Sequence, residues 1–448
     1  MHKSFISRAL RIEPYEVVPA LLSALYYFFV LCSYYLIRPL RDERGMAAGA
    51  DDLPWVMWVT LGAMLLVTPI FGWLARGRSR RFFIPATYRF FALTFLIYAL
   101  VDRVVSESAG IGLGIAFFVW VSVFNLFANS LMWAFMADGF KFEQSKRLFG
   151  FVAIGGSIGA TLGSVMALWL ASSMGTIGLV VGSILLLEGA CQTVRLLAPR
   201  FETMRARRAA EQSSADGATD ASSQEAPPIA DRQSVWQGLL ATMRSPYLLA
   251  IAGYLFCYAL TSTLFYFQQA RVVEAAFETK VARREYFATV DLWVNILTLA
   301  SQVFLTGRVM ATFGVAATLA FLPVLTLIGF FVIGADPTLT PFVIFYVLRR
   351  AGNFAFSRPA RETLFTVVPR DAKYQAKTFI DTFVYRAADA VATPFDFLMQ
   401  SLQLGVAGLA FAAAPIAVVW FGLALFLGLR QRTLSREGAA LPVAPAAP

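Results

Sequence analysis

Runs of about twenty apolar residues, separated by short polar segments, recur along the whole chain. At 1.5 Å of rise per residue, a helix of that length crosses a hydrocarbon core of about 30 Å. Lipid offers no partner for backbone N–H and C=O groups, so each run reads as a helix that satisfies its own. The pattern predicts spans at about 17–37, 55–75, 82–101, 110–137, 148–171 and 176–198. A second set falls near 246–267, 287–306, 315–334, 341–357, 376–400 and 405–429. The expected fold is an all-α membrane protein of about twelve transmembrane helices in two six-helix halves, residues 1–198 and 246–432. Residues 199–245 are charged, with a core rich in Ala, Ser, Gln, Asp and Pro, and read as a flexible cytoplasmic linker. The end of the chain, 433–448, reads as a disordered tail. The run from Val17 to Ile37 lacks an Ala-x-Ala cleavage site, so it is expected to stay as a first span.

Composition agrees with the pattern. Hydrophobic residues make up 58% of the chain and charged residues 15%, against about a quarter charged in a soluble domain. The net charge of +10 is spread between apolar runs and forms no dense patch, which argues against a nucleic-acid partner. Basic residues cluster in alternate loops: Arg76 to Arg81, Lys141 to Arg147, the linker, Arg358 to Lys377, and Arg430 to Arg436. The positive-inside bias then predicts an inner-membrane protein with both termini cytoplasmic, and residues 42–52 on the opposite side. Cys32, Cys191 and Cys257 all lie in apolar runs, so no disulfide framework is expected. His2 is the only histidine, which excludes a His-based metal site or triad in the body of the chain. No phosphate-binding glycine loop of the Walker type appears. The chain is therefore expected to be no enzyme and to need no metal or cofactor. Its partners are the bilayer and a small-molecule substrate.

Ionisable residues inside a span cost roughly 2.5–3.5 kcal/mol on insertion scales, so they mark positions held for a reason. Tyr27, Tyr34, Arg38 and Arg41 are spaced seven, four and three apart, on one face of the first span. Arg38, Arg41 and Arg44 stand against the charge bias, with Asp42 and Glu43 among them. A local ion-pair cluster fits this pattern, and so does an anion site, since guanidinium forks match phosphate and carboxylate. Lys377, Asp381, Tyr385, Asp389 and Asp396 form a stripe on the eleventh span, with Arg386 beside it. A stripe of both signs must face a cavity or another helix. Asp291, Asn295 and Gln302 share a face of span eight, and Asn125 and Asn129 precede Trp133 on span four. Span ten carries Arg349, Arg350 and Asn353, and Arg89 lies inside span three. Gly155, Gly159 and Gly163 make a small-residue ridge that favours close helix packing.

Gly72 to Arg81 follows span two, and Gly307 to Gly314 follows span eight. These segments resemble the glycine-and-arginine loop of the major facilitator superfamily, although Arg76 stands near its usual acidic residue. The run from Phe28 to Arg44, closing on Leu40-Arg41-Asp42-Glu43-Arg44-Gly45, resembles the first helix of the nucleotide (ATP/ADP) translocases. Trp133 to Phe135 with Ser145 to Gly150, and Arg361-Glu362 with Lys373 to Asp381, are further matches in the same order. The chain departs from that family in Arg44 for Lys, in Gly45 for Asp, and in lacking an acidic residue from Trp120 to Phe124. The resemblance implies exchange of adenine nucleotides across a membrane, and puts Arg44 and Lys377 where the family binds phosphate.

These readings lead to a secondary transporter of an organic anion. The expected substrate-binding residues are Arg38, Arg41, Arg44, Asn125, Asn129, Lys377, Tyr385 and Arg386. Asp42, Asp291, Asp381, Asp389 and Asp396 are expected to pair charges or couple transport. Two alternatives remain at this point. One is a proton-coupled exporter of a drug or cationic metabolite, using those aspartates. The other is a membrane enzyme or receptor built from carboxylates and arginines.

Overall fold

A computed structural model describes residues 15–75, 78–140, 142–215, 235–368, 376–377 and 379–437, and contains no strand among them. In chain order the first helices are α1 Val17–Gly45, α2 Leu53–Ala75, α3 Arg80–Val101, α4 Glu107–Gly139, α5 Phe142–Ser173 and α6 Gly175–Ala215. A short α7, Val235–Arg244, precedes α8 Pro246–Ala276, α9 Lys280–Phe304 and α10 Thr306–Ala335. The chain continues through α11 Leu339–Gly352, α12 Arg358–Leu364, α13 Tyr385–Ser401 and α14 Val406–Glu437. Ten of these helices are long and apolar enough to cross a bilayer: α1 to α6, α8 to α10, and α14. Their outward faces carry large apolar side chains such as Leu66, Trp73, Trp169, Leu185 and Phe313, each more than 60% exposed. A surface of that kind is rare on a soluble protein and normal against lipid.

The regions expected as spans ten and eleven are the two that carry most charge, and both are interrupted. A π-helical turn at Asn353–Ser357 separates α11 from α12, and another at Ile380–Val384 precedes α13. A π turn frees backbone carbonyls from their usual partners. Two of them are taken up by side chains: Gln302 donates to the Phe354 carbonyl at 3.3 Å, and Thr306 to that of Ala355 at 2.8 Å.

The expected end of the sixth span at 198 needs correction, because α6 runs on to Ala215. The sequence there alternates Ala, Arg, Met, Glu and Gln, all good helix formers. Phe201 and Met204 are buried, with the Phe201 ring against Phe135 and Phe140. Of the rest of the expected linker, 235–244 form α7, whereas 216–234 lies outside the described residues, as do the first fourteen residues, 76–77, Lys141, 369–375, Thr378 and the tail beyond 437.

The chain divides into two compact units. One comprises Met1–Ala48, Gly62–Pro227 and Thr279–Leu292; the other comprises Gly49–Leu61, Pro228–Glu278 and Trp293–Pro448. In the first, α1 packs against α5 and α6. A Cβ built on Gly155, Gly159 or Gly163 would stand 2.3, 2.2 or 2.5 Å from the carbonyl oxygens of Ala24, Phe28 and Cys32. Both helices repeat every four residues along this seam, so the ridge seats α5 directly on the α1 backbone. In the second unit α10 packs along α14, and α8 packs on α13 and α14. Helix α10 breaks at Gly314, whose φ of +76° lies in the left-handed region that glycine tolerates. The break falls at the end of the segment expected as a loop, and the long apolar helix begins after it.

Candidate functional site

The last two turns of α1 hold Arg38, Arg41, Asp42, Glu43 and Arg44. Arg38 donates through Nη1 to Asp291 at 2.9 Å, and its Nε lies 3.5 Å from Asp42 one turn ahead. Arg41 donates to Asp42 through Nε at 3.0 Å and to the Tyr34 hydroxyl at 3.1 Å. Arg44 donates through Nη2 to Asp102 at 2.7 Å, with its Nε 3.4 Å from Glu43. Glu43 also accepts from Arg284 at 3.0 Å. Aromatic faces complete the surroundings: Tyr35 lies 5.6 Å from the Arg38 guanidinium and Phe118 lies 5.0 Å from that of Arg41. None of these eight charged side chains is more than 15% exposed. Arg38, Arg41, Arg44 and Arg284 thus face Asp42, Glu43, Asp102 and Asp291, four against four.

The structure brings Arg38, Arg41 and Arg44 together with Asp42, Glu43 and Asp291. The remaining members, Arg284 and Asp102, are not expected from the sequence. They are distant in the chain, and each looks like an ordinary loop or helix-end charge there. Asn125 and Asn129 engage one another: the Asn129 amide donates to the Asn125 side-chain and backbone oxygens at 2.8 and 3.0 Å. Trp133 stacks edge-on with Tyr27 at 5.4 Å. Arg89 of α3 forms a two-pronged pair with Glu188 of α6 at 2.9 and 2.6 Å.

The expected stripe on the eleventh span falls in with several different neighbours. Lys377 pairs with Glu362 and lies 5.5 Å from the Phe365 ring. The Tyr385 hydroxyl accepts from Arg361 at 2.9 Å. Arg386 pairs with Asp389 at 3.1 Å, and Asp389 also accepts from Thr263 of α8 at 2.6 Å. Asp396, fully buried, takes both prongs of Arg271 of α8 at 2.9 and 2.6 Å, and Arg271 also reaches Asp51 at 2.7 Å. The Asp381 side chain lies outside the described residues. Spacings of four imply one face only on a helix of constant 3.6-residue turns. The π turn at Ile380–Val384 shifts Lys377 relative to Tyr385, Asp389 and Asp396, which follow it on α13 and reach α8 through Tyr258, Thr263 and Arg271.

Arg349 of α11 is surrounded differently. It is 2% exposed. Its Nε donates to the Thr326 hydroxyl at 3.2 Å, and its Nη2 donates to the hydroxyls of Thr261 and Ser262 at 2.7 and 3.1 Å and to the Tyr258 carbonyl at 3.4 Å. The guanidinium lies 5.5 Å from the Tyr258 ring and 5.1 Å from that of Phe265. Among the described residues it forms no ion pair.

Compared with solved structures, the chain matches transporters along nearly its full length. A bacterial homologue of the iron transporter ferroportin, in an inward-facing state, superposes with a TM-score of 0.60 at 10% identity, over 96% of this chain and 99% of that one. A bacterial homologue of the human lysosomal transporter Spinster gives 0.53 at 12% identity, over 95% and 98%. The nucleoside transporter NupG gives 0.54 at 12% identity, over 93% and 99%. No protein-family model matches the sequence. No curated protein matches it either. At such identities the likeness shows the fold: an all-α, multi-pass membrane protein of the major facilitator type.

Proposed function

On the premise of that fold, we propose that the chain is a secondary transporter that moves an organic anion by alternating access. It works in the inner membrane with both termini in the cytoplasm, as the loop charges suggest. The observation that carries the anion reading is the set of guanidinium groups buried at the end of α1, where each is held by a carboxylate. Carboxylates there occupy the positions that oxygens of a carboxylate or phosphate substrate would take. A substrate that displaces Asp42 from Arg41, or Glu362 from Lys377, changes the balance of charge around each. A ligand that binds two conformations unequally shifts their populations, which is what transport requires. Adenine nucleotides are the first candidates, on the likeness of the α1 end to the nucleotide translocases.

Reconstituted protein should take up labelled ADP, ATP, phosphate or a dicarboxylate with saturation, and should do so faster when the vesicles are preloaded with the same anion. Absence of saturable flux for every anion, with protonophore-sensitive flux of an organic cation, would replace this reading with the proton-coupled exporter.

A further inference from the structure

A guanidinium taken out of water needs either a counter-charge or a full set of hydrogen-bond acceptors. Arg349 has acceptors on one edge only. Its Nε and Nη2 are engaged by Thr326, Thr261, Ser262 and the Tyr258 carbonyl, whereas Nη1 has no acceptor among the described residues. Thr261 and Ser262 spend their own protons on backbone: Thr261 donates to the Cys257 carbonyl at 2.8 Å and Ser262 to that of Tyr258 at 2.7 Å. Their oxygens are therefore fixed as acceptors toward Arg349. The rings of Tyr258 and Phe265 lie against the guanidinium and restrict its plane. Asp389 hangs from the same turn of α8 through Thr263, but its other oxygen is held by Arg386. The cation is thus oriented and only half satisfied, with no counter-charge among the described residues.

We propose that Arg349 binds one oxyanionic group, carboxylate or phosphate, of the transported solute, with Tyr258, Thr261, Ser262 and Thr326 as the residues that orient it. The inference rests on the anion-transport reading and assigns that reading a residue outside the α1 cluster. The planar fork offers the outward N–H groups to the incoming oxygens while the hydroxyls hold the opposite edge.

The test uses the purified full chain in detergent and three probes: ADP, inorganic phosphate and succinate. Apparent melting temperature is followed against probe concentration for the parent, Arg349→Gln and Arg349→Lys. A ligand that binds the folded state raises the melting temperature in a saturable way. For the parent, at least one probe should do so; phosphate alone, succinate alone or ADP alone identifies the class of group. In Arg349→Gln the half-saturating concentration should rise more than about tenfold, while the probe-free melting temperature stays level or rises, since a buried charge has gone. Arg349→Lys should fall between the two, because charge is kept without the fork. Parent-level half-saturation in Arg349→Gln overturns the proposal, and a large loss of probe-free stability with the anion response intact would make Arg349 a clamp between helices. If Arg349→Gln does not fold, an unchanged half-saturation in Arg349→Lys overturns it equally. No response of the parent to any probe defeats the anion-transport reading as well; a parent response shared by the variants defeats this inference alone.

Discussion

The arginines at the end of α1 and Arg349 on α11 are both largely withdrawn from solvent and are surrounded in opposite ways. Arg38, Arg41, Arg44 and Arg284 are matched by Asp42, Glu43, Asp102 and Asp291. Arg349 meets hydroxyls, one carbonyl and two rings. The first arrangement is balanced in charge as it stands, although the Nε atoms of Arg38 and Arg44 have no hydrogen-bond partner among the described residues, and an anion would enter it by displacing a carboxylate. The second accepts an anion without displacing anything. A charge lattice and an anchoring point are therefore distinguishable by what surrounds them, although in sequence both are only arginines in or beside apolar runs.

That difference predicts opposite responses to mutation. The largest effect is expected from Asp291→Ala, which leaves Arg38 buried with Asp42 at 3.5 Å as its remaining ion-pair contact on α1. Removing one partner of a buried pair costs about 3–5 kcal/mol. The melting temperature should drop sharply, with partial recovery in the double variant Arg38→Met with Asp291→Ala. Equal stability of the single variant and the parent would mean that the lattice is hydrated and loose. By contrast, Arg349→Gln is expected to leave the empty protein as stable as before.

A smaller loss is expected from Gly159→Ala. Its new methyl group would fall 2.2 Å from the Phe28 carbonyl oxygen, so α1 and α5 must separate. Overpacking of this kind costs about 1–3 kcal/mol. Since α1 carries the arginine lattice, the shift should also alter anion response, whereas Gly62→Ala, with nothing nearby, should change neither. Thermal unfolding of both variants checks this.

The smallest effect on stability belongs to Lys377 and Glu362, which are 32% and 47% exposed. A pair of that exposure contributes about 0–1 kcal/mol. Glu362→Ala should leave unfolding nearly unchanged while freeing Lys377 for substrate. Lys377→Ala should raise the half-saturating anion concentration more than about tenfold. If both variants bind anion as the parent does, Lys377 serves packing only.

The apolar runs made ten long helices legible, because length and hydropathy alone define a span. The glycine ridge was legible too, since residues four apart on a helix share a face and small ones invite close approach. The charged spans were less so. Their π turns are invisible to spacing arithmetic that assumes one helical period, which is why Lys377 reads as part of the stripe of Tyr385, Asp389 and Asp396 but pairs elsewhere, while those three follow the turn on α13 and reach α8. Partners such as Arg284, Asp102 and Arg271 lie far from their mates in the chain, and nothing local marks them. Arg349 was visible as a charge in a span, but its lack of a counter-charge depends on what its neighbours are not. No sequence pattern encodes that.

The most direct test of anion transport is counterflow in proteoliposomes. Vesicles preloaded with ADP, phosphate or succinate are diluted into the labelled form of the same anion, with the parent and Arg349→Gln reconstituted side by side. The account predicts transient, saturable accumulation by the parent for at least one anion and a rate lower by more than about tenfold for the variant. Label uptake by the parent no greater than that of empty liposomes, for all three anions, would contradict it.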